Sequence, residues 1–281
     1  MRIDFTKMHG LGNDFVVLDG RTGGLPPMDA ALAAALADRH TGIGCDQLIL
    51  LAPSDFGDFR MRIFNADGSE VEACGNATRA VGLLHGRSAT IETLGGLLAT
   101  TPTDNGISVE MGKPHFGWQE IPLGYAMDTH AMPVAWEELV NPIAVNVGNP
   151  HAIFFVEDPY QIDMVRLGPL VENDPIFPER VNVNVAAVTA RDAITLRVWE
   201  RGAGLTRACG TGACATAIGA MKRGLVDRKV TVSLPGGPLV IEWREDDVIV
   251  MTGPATESFR GSFELADYLD PAGDIPDKVD A

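Results

Sequence analysis

The sequence predicts an α+β fold that is built twice: two pseudo-symmetric halves, each a strand-rich, barrel-like shell around a central helix, with an active site in the cleft between them. Two observations carry this prediction. An internal repeat aligns one half of the chain with the other, and within each half several strand patterns accompany one helix that carries little charge on any face. At 281 residues, the chain is long enough for about two domains with separate cores.

The repeat is clearest around two cysteines. The segment RMRIFNADGSEVEACGNATRAVGLL, from Arg60, aligns without a gap with TLRVWERGAGLTRACGTGACATAIG, from Thr195. In this alignment Asn65 falls on Glu200, and Ala-Cys-Gly falls on Ala-Cys-Gly. Upstream, GLGNDFVVLD and NVGNPHAIFFVED both place Gly-Asn before a β-rich apolar run. The shared order of features predicts a pseudo-two-fold axis between the halves.

Each half also shows the same series of secondary-structure patterns. An opening strand, at Phe15–Leu18 or Ile153–Val156, precedes a helix that covers about Met28–Arg39 in the first half and follows Pro159 in the second. Alternating apolar residues then predict strands over DQLILLAP and FRMRIFNA in the first half, and over RVNVNVAAV and AITLRVWER in the second.

A further helix follows the cysteine in each half, over about Asn76–His85 and about Thr211–Lys222. Both helices are rich in small apolar residues and have little charge on any face, so we expect sheet to wrap each of them. Strand patterns come next, in ATIETLGGLLATT and in KVTVSLPGGPLVIEW.

The Gly/Pro-rich stretch MGKPHFGWQEIPLG predicts the domain boundary. It gives a first domain over residues 1–115, which carries Cys74, and a second over residues 116–260, which carries Cys209. The segment after about residue 260 is a candidate to pack back on the first domain.

Composition narrows the class of protein. Apolar residues make up 46% and charged residues 21%, as in soluble globular proteins. The net charge of −16 argues against nucleic acid as a partner, because phosphates would be repelled. The charge-free run Leu139–Val156 is interrupted by asparagine and proline, which argues against a membrane helix. The N-terminus has no apolar signal core, so we expect a cytoplasmic protein.

The chemistry of the chain centres on its thiols. The four cysteines are Cys45, Cys74, Cys209 and Cys214, and free thiols are the default in an unexported protein. No CxxC occurs and the histidines are dispersed, so no zinc site is predicted. The sequence also lacks the nucleotide-binding and hydrolase motifs, and it indicates no cofactor.

The two Ala-Cys-Gly turns favour proton transfer. Each of these cysteines is predicted where a strand turns into a helix, where unpaired N–H groups and the helix dipole favour negative charge. We therefore expect the pKa of each thiol to fall below its ordinary value, and the N–H groups at Gly75-Asn76 and Gly210-Thr211 to bind a carboxylate. One thiolate would remove a proton from a carbon while the opposite thiol delivers one to the other face. The alternative is a buried structural thiol, the interpretation we keep for Cys45 and Cys214.

Several segments together resemble one family. KMHGLGNDFVVLD, HTGIGCDQLILL, RIFNADGSEVEACGNATR, NVGNPHAIFF, ERVNVNV and VWERGAGLTRACGTGACA are similar to the diaminopimelate epimerases of the proline racemase-like superfamily. The resemblance spans Lys7 to about Ala217. It implies a cofactor-independent isomerase of lysine biosynthesis, without pyridoxal phosphate or metal, that forms a homodimer and interconverts the LL and meso forms of 2,6-diaminoheptanedioate.

The resemblance also implies roles for residues at matching positions. Cys74 and Cys209 would be the acid/base pair, and His151 and Glu200 would modulate the thiol pKa values. The implied substrate-binding residues are Asn13, Gln47, Asn65, Gly75, Asn76, Asn149, Asn182, Glu200, Arg201, Gly210 and Thr211. The residue types suit a substrate with two carboxylates and two ammonium groups, since a guanidinium binds a carboxylate through two hydrogen bonds.

Three other functions remain open at this point. A racemase or epimerase of a proline-like amino acid would use the same two thiols, but it would need no clamp such as Arg201 for a distal carboxylate. A thiol redox protein would join Cys74 and Cys209 reversibly. A non-catalytic amino-acid binding module would have no need of two activated thiols.

Overall fold

The computed structural model describes residues 1–72 and 74–269. The helices are α1 (Ala30–Ala37), α2 (Gly75–His85), α3 (Met164–Glu172) and α4 (Gly210–Lys222), followed by a 3-10 turn at Leu265–Asp267. The strands up to the middle of the chain are β1 (Arg2–Gly10), β2 (Asn13–Asp19), β3 (Gln47–Ala52), β4 (Phe59–Asn65), β5 (Glu70–Val71), β6 (Ala89–Thr93), β7 (Gly96–Thr103), β8 (Gly106–Glu110), β9 (Ala135–Trp136) and β10 (Leu139–Val140). The later strands are β11 (Ile143–Asn146), β12 (Pro150–Phe155), β13 (Asn182–Ala190), β14 (Ala193–Glu200), β15 (Gly204–Thr206), β16 (Lys229–Leu234), β17 (Gly237–Trp243), β18 (Ile249–Gly253) and β19 (Thr256–Glu264).

The chain forms two compact units. The first comprises Met1–Ile107 and the segment that begins at Pro254, and the second is Ser108–Gly253. In the first unit β19 pairs antiparallel with β1. In the second, Met111 N donates to Ile249 O, which joins the chain after β8 to β18. These pairings place the boundaries before those predicted from the sequence, 1–115 and 116–260. The Gly/Pro-rich stretch comes after β8 in the chain, and β8 already pairs with β18 of the second unit.

The two units repeat one pairing scheme, which confirms the prediction of two similar halves. In the first unit β2–β3 is parallel, β3–β4 antiparallel, β4–β6 parallel and β6–β7 antiparallel. In the second, β12–β13 is parallel, β13–β14 antiparallel, β14–β16 parallel and β16–β17 antiparallel. The intervening helices also correspond: α1 and α3 follow the first strand of each parallel pair, and α2 and α4 follow the short strands β5 and β15.

Successive side chains along the strands of the first unit pack alternately against α1 and against α2. On β2, Phe15 and Val17 contact the cluster that includes Ala80 of α2, while Val16 and Leu18 contact the cluster around α1. Successive side chains point to opposite faces of a strand, so a strand covered on both sides reads as a continuous apolar run. Full burial of each large side chain stabilises the fold by roughly 1.5–3 kcal/mol.

Helix α4 is the centre of the second unit. It contacts β11, β12, β13, β14, β16, β17 and β18, and its residues from Gly212 to Ala220 are buried. The small residues of α4 allow the strands to approach the helix closely. At Gly219, for example, an added Cβ would lie only 3.0 Å from the Ile143 side chain. On α3, a Cβ on Gly168 would lie 2.4 Å from the Trp199 ring, so this helix can approach β14 only through glycine.

Helix α1 is shorter than the predicted range of about Met28–Arg39. Asp29 accepts a hydrogen bond from Leu32 N at 2.8 Å, which caps the helix after Met28. Asp38 leaves the helical conformation before Arg39. Within the described residues, no helix combines the length and the apolar character that a membrane crossing would require.

Candidate active site

A cysteine caps the central helix of each unit. Cys74 precedes α2 with φ −146° and ψ 110°, and Cys209 precedes α4 with φ −130° and ψ 109°. The first intrahelical bonds run from Thr78 N to Cys74 O at 2.9 Å and from Ala213 N to Cys209 O at 3.0 Å. Both cysteines therefore occupy the strand-to-helix position predicted from the sequence.

The Cys74 thiol lies beside an asparagine whose orientation is fixed. Its Sγ is 3.8 Å from Asn13 Oδ1, and Asn76 Nδ2 donates to the same oxygen at 3.3 Å. The Asn13 amide nitrogen donates to Asp46 Oδ2 at 2.9 Å. An ionised carboxylate can only accept hydrogen bonds, so Asp46 holds the Asn13 oxygen toward the thiol. The structure thus brings Asn13, Asn76 and Cys74 together, with Asp46 as a supporting residue that the sequence did not predict.

An ion-pair network anchors Asp46. The Arg39 guanidinium contacts Asp14 at 2.5 Å and Asp46 at 2.7 Å, and Lys7 pairs with Asp14. Burial tends to raise the pKa of Asp14, but hydrogen bonds from Arg39 and Lys7 outweigh it and hold that pKa at about 2. The ion pair with Arg39 holds the Asp46 side chain in the position from which it accepts a hydrogen bond from Asn13.

Gln47 and Asn65 form a pair of their own on β3 and β4. They are opposite each other in the antiparallel register, and Gln47 Nε2 donates to Asn65 Oδ1 at 3.1 Å. Asn65 Nδ2 donates to Ser69 Oγ at 3.1 Å. The Gln47 Oε1 atom is buried without a hydrogen-bond partner among the described residues. A buried unpaired acceptor is unfavourable, so this pair has an unused site for a donor.

The Cys209 thiol is buried. Its Sγ accepts a hydrogen bond from Gly212 N at 3.3 Å and lies 3.5 Å from Thr211 Oγ1. Burial, and then the negative charge of Glu200, raise the pKa of this thiol well above its ordinary value; the contacts with Thr211 and Gly212 only partly oppose them. The prediction that the helix N-terminus lowers the thiol pKa is therefore wrong for Cys209, because desolvation outweighs the partial charge of the helix.

Glu200 reaches the same thiol from β14. Burial raises the pKa of its carboxyl group, while hydrogen bonds from Thr206 and Cys209 lower it. The Thr206 hydroxyl donates to Glu200 Oε1 at 2.5 Å across the β14–β15 hairpin. A thiol and a carboxyl group in contact, with both pKa values raised, can exchange a proton between them.

Asn182 and Arg201 are joined next to this pair. Asn182 accepts a hydrogen bond from Arg201 N at 2.9 Å and donates to Pro150 O at 2.9 Å. The Arg201 guanidinium donates through one nitrogen to Glu179 O at 2.9 Å, and the residue is exposed. A guanidinium has five N–H donors, so the others remain suited to an external carboxylate.

His151 lies inside a hydrogen-bonded series. Its Nε2 is 2.9 Å from Asn149 Oδ1, and its Nδ1 is 3.2 Å from Asn184 Oδ1. Burial lowers its pKa to about 4; the Asn184 contact opposes this effect and the Arg201 charge adds to it. The ring is therefore neutral at pH 7. Asn184 was not predicted from the sequence, although alternation places it on the same face of β13 as Asn182.

The burial of His151 predicts a pH-dependent stability. Its pKa is 6.5 ordinarily and about 4 in the folded protein. Between these values the unfolded chain binds more protons, so the free energy of unfolding falls as the pH falls from about 6.5 to 4. In urea titrations, the wild type should lose about 2 kcal/mol more than His151→Gln between pH 7 and pH 5. Replacing the exposed His40 by glutamine is the control for removing a histidine, and equal losses in wild type and His151→Gln would contradict the prediction.

Solved structures of racemases and epimerases share this fold. A hydroxyproline epimerase from Agrobacterium vitis, with bound trans-4-hydroxy-L-proline, matches with a TM-score of 0.65 and 15% identity over 97% of this chain and 94% of its own. A phenazine biosynthesis protein of the PhzF family from Enterococcus faecalis matches with a TM-score of 0.70 and 14% identity over 94% and 100%. The chain therefore shares its fold with a hydroxyproline epimerase and with a PhzF-family protein.

Sequence relatives narrow this class to one family. The diaminopimelate epimerase family model matches residues 5–117 and 143–257. A diaminopimelate epimerase from Erythrobacter litoralis is 66% identical over 268 residues, which cover 95% of this chain and 100% of the relative. Another, from Rhizorhabdus wittichii, is 62% identical over 268 residues, covering 95% and 98%. The chain belongs to the diaminopimelate epimerase family, as the resemblance of its motifs implied.

Proposed function

We propose that the protein is a diaminopimelate epimerase that interconverts LL- and meso-2,6-diaminoheptanedioate, with Cys74 and Cys209 as its acid/base pair. The observation that carries the proposal is the equivalence of the two thiols. Each caps the central helix of its unit with nearly the same backbone conformation, within units that repeat the same strand pairing. A reaction that needs one proton acceptor and one proton donor of the same chemical kind accounts for such a duplication.

In the proposed reaction, one thiolate takes the α-proton of the substrate, and the electron pair left on carbon moves into the adjacent carboxylate. The other thiol then gives its proton to the opposite face of the same carbon and becomes a thiolate. One S–H bond forms as one breaks, so the exchange inverts the stereocentre without net oxidation. The raised pKa of Cys209 suits this thiol to begin as the donor.

The starts of α2 and α4 would hold the reacting carboxylate. Thr78 and Ala213 supply the first intrahelical N–H bonds, so the N–H groups before them lie outside the helical ladder. They include the N–H groups of Gly75, Asn76, Gly210 and Thr211, while that of Gly212 donates to the Cys209 thiol. Together with the helix dipoles, they would stabilise the negative charge that develops as the α-proton leaves.

Polar side chains around the thiols would recognise the rest of the substrate. Arg201 suits the distal carboxylate, while Glu200 and the unpaired Gln47 oxygen suit donors such as ammonium groups. The amides of Asn13, Asn65, Asn149 and Asn182 would add donors and acceptors. His151 and Glu200 would modulate the proton affinity of the thiols.

Optical rotation of LL-diaminopimelate, followed with the purified protein and no added cofactor, tests the function. The proposal predicts a change toward the LL/meso equilibrium value. Turnover of proline or hydroxyproline instead would indicate the related racemase activity. Binding without turnover by the reduced protein would indicate a binding module, and thiol–disulfide exchange without epimerisation would indicate a redox protein.

The proposed function also bears on the pathway, the cellular compartment and the oligomeric state of the enzyme. We infer that it works in lysine biosynthesis in the cytoplasm and forms a homodimer. Light scattering of the purified protein checks the dimer, since a mass close to 29.9 kDa would correspond to a monomer.

Replacing Arg201 by lysine should weaken binding of the distal carboxylate. An ammonium group cannot reproduce the two parallel hydrogen bonds of a guanidinium, so kcat/KM should fall by about tenfold to a hundredfold. L-lysine is the same molecule without one carboxylate, and its inhibition constant should change far less. The matched control is Arg191→Lys, which alters an exposed arginine paired with Asp227. Equal losses for both ligands would mean that Arg201 is structural.

A further inference from the structure

A series of polar side chains runs through the interior of the second unit from the first turns of α4 to Asn149. Asn184 Nδ2 donates to Gly212 O and to Thr216 Oγ1, each at 2.9 Å, and Asn184 Oδ1 lies 3.2 Å from His151 Nδ1. The other ring nitrogen of His151 lies 2.9 Å from the Asn149 amide. His151, Asn184 and Thr216 are fully buried. These side chains are therefore shielded from bulk solvent and form their hydrogen bonds inside the protein.

The orientation of Asn184 is determined by the backbone. The Gly212 carbonyl can only accept a hydrogen bond, so the Asn184 amide nitrogen must face it. Turning this amide around would bring its oxygen to 2.9 Å from the Gly212 oxygen. Two acceptors in contact inside a protein are strongly unfavourable. Asn184 Oδ1 therefore faces His151 as an acceptor.

The orientation of Asn184 in turn determines where His151 carries its proton. The ring is neutral at pH 7, because its pKa is about 4, so only one of its nitrogens bears a hydrogen. The nitrogen that faces Asn184 Oδ1 must be the donor. His151 is thus the Nδ1–H tautomer, and Nε2 carries a lone pair directed at Asn149.

A lone pair at Nε2 requires a donor from Asn149. The oxygen and nitrogen of an asparagine amide occupy nearly equivalent positions, so a rotation of the Asn149 amide by 180° supplies that donor. We propose that Asn184 and His151 are positioning residues that make Asn149 present its carbonyl oxygen, rather than its amide nitrogen, to the substrate. This oxygen is an acceptor suited to an ammonium group. That last step rests on the proposed function, whereas the tautomer of His151 does not.

Nitrogen NMR of the wild-type protein labelled with ¹⁵N-histidine tests the tautomer directly. The resonances of His151 are assigned by their absence in His151→Gln. We expect a protonated-type shift at Nδ1 and an unprotonated-type shift at Nε2, without change between pH 6 and pH 8. An Nε2–H tautomer, or an even mixture of the two, would overturn the proposal.

Two substitutions separate the positioning role from packing. Asn184→Leu keeps the volume but removes the fixed acceptor, so the His151 tautomers should mix. KM for LL-diaminopimelate should rise by about tenfold, with a smaller change in kcat. Thr216→Val removes a hydroxyl but leaves the Gly212 carbonyl, which still orients Asn184, so the Nδ1–H tautomer should persist. Loss of that tautomer in Thr216→Val, or its retention in Asn184→Leu, would contradict the proposed relay.

Failure of this inference can be distinguished from failure of the proposed function. An active epimerase with an Nε2–H tautomer would refute the relay alone. An Nδ1–H tautomer in a protein that does not act on diaminopimelate would refute the function and leave the relay in place.

Discussion

Replacing either Cys74 or Cys209 by alanine is expected to reduce epimerisation by a factor of at least about 10² to 10⁴ in both directions. Each thiol is proposed to be a donor in one direction and an acceptor in the other, so neither direction can proceed without both. The effect should be on kcat, because alanine leaves the first-turn N–H groups of α2 and α4 available for the carboxylate. Initial rates from LL and from meso substrate, with circular dichroism to verify folding, measure it.

The remaining cysteines provide matched controls. Cys45 and Cys214 are both buried, and Cys214 lies one turn beyond Cys209 on the same helix. Their replacement by alanine should lower the stability through lost packing, while kcat/KM stays within a few-fold of wild type. If Cys214→Ala is folded and as inactive as Cys209→Ala, the assignment of the acid/base pair is wrong.

Replacing Glu200 by glutamine is expected to reduce kcat/KM by about a hundredfold or more. The carboxyl group contacts the Cys209 thiol and is proposed to accept its proton when this cysteine has to act as a thiolate. Glutamine preserves the shape and can still accept a hydrogen bond from Thr206, but it cannot accept a proton. The control is Glu242→Gln, which removes a carboxylate paired with Lys229 on the neighbouring strand.

Replacing Glu200 by glutamine should also change the pKa of Cys209, an effect that a purely structural role of Glu200 would not produce. The negative charge of Glu200 raises the pKa of Cys209, so its removal should lower that pKa. Ultraviolet absorbance of the thiolate, titrated in a Cys74→Ala background, measures the change. An unchanged pKa of Cys209 together with unchanged activity would exclude Glu200 from the mechanism.

Local sequence patterns predicted the elements that carry the site. Alternation identified β4 and β14, and the small apolar residues after each cysteine identified α2 and α4 as enclosed helices. The alignment of Asn65 with Glu200 and of Cys74 with Cys209 also predicted two similar halves. These predictions are correct because each depends on residues that are close together in the chain.

The features that could not be predicted depend on residues distant in sequence. Strand β8 pairs with β18, so the boundaries of the two units lie before those predicted from the Gly/Pro-rich stretch. The roles of Asp46 and Asn184 appear only when the fold brings them to Asn13 and His151. The pKa of Cys209 was mispredicted for a similar reason, since its burial depends on tertiary packing around α4.

Deuterium incorporation distinguishes proton transfer by two bases from transfer by one. The reaction is started from LL-diaminopimelate in deuterated water and sampled early. The donor thiol then carries a deuteron from the solvent, while the acceptor thiolate removes protium from the substrate. Two-base transfer should give a meso product with deuterium at the inverted carbon and recovered LL substrate that is almost unlabelled.

The reverse reaction, started from meso substrate, completes the measurement because each thiol then has the opposite role. Deuterium should again enter the product before the recovered substrate. A single base that moves between the two faces would return the proton it removed and give a protium-rich product. Protium-rich product from both directions at early times would contradict the two-cysteine mechanism, whatever the activities of the cysteine variants.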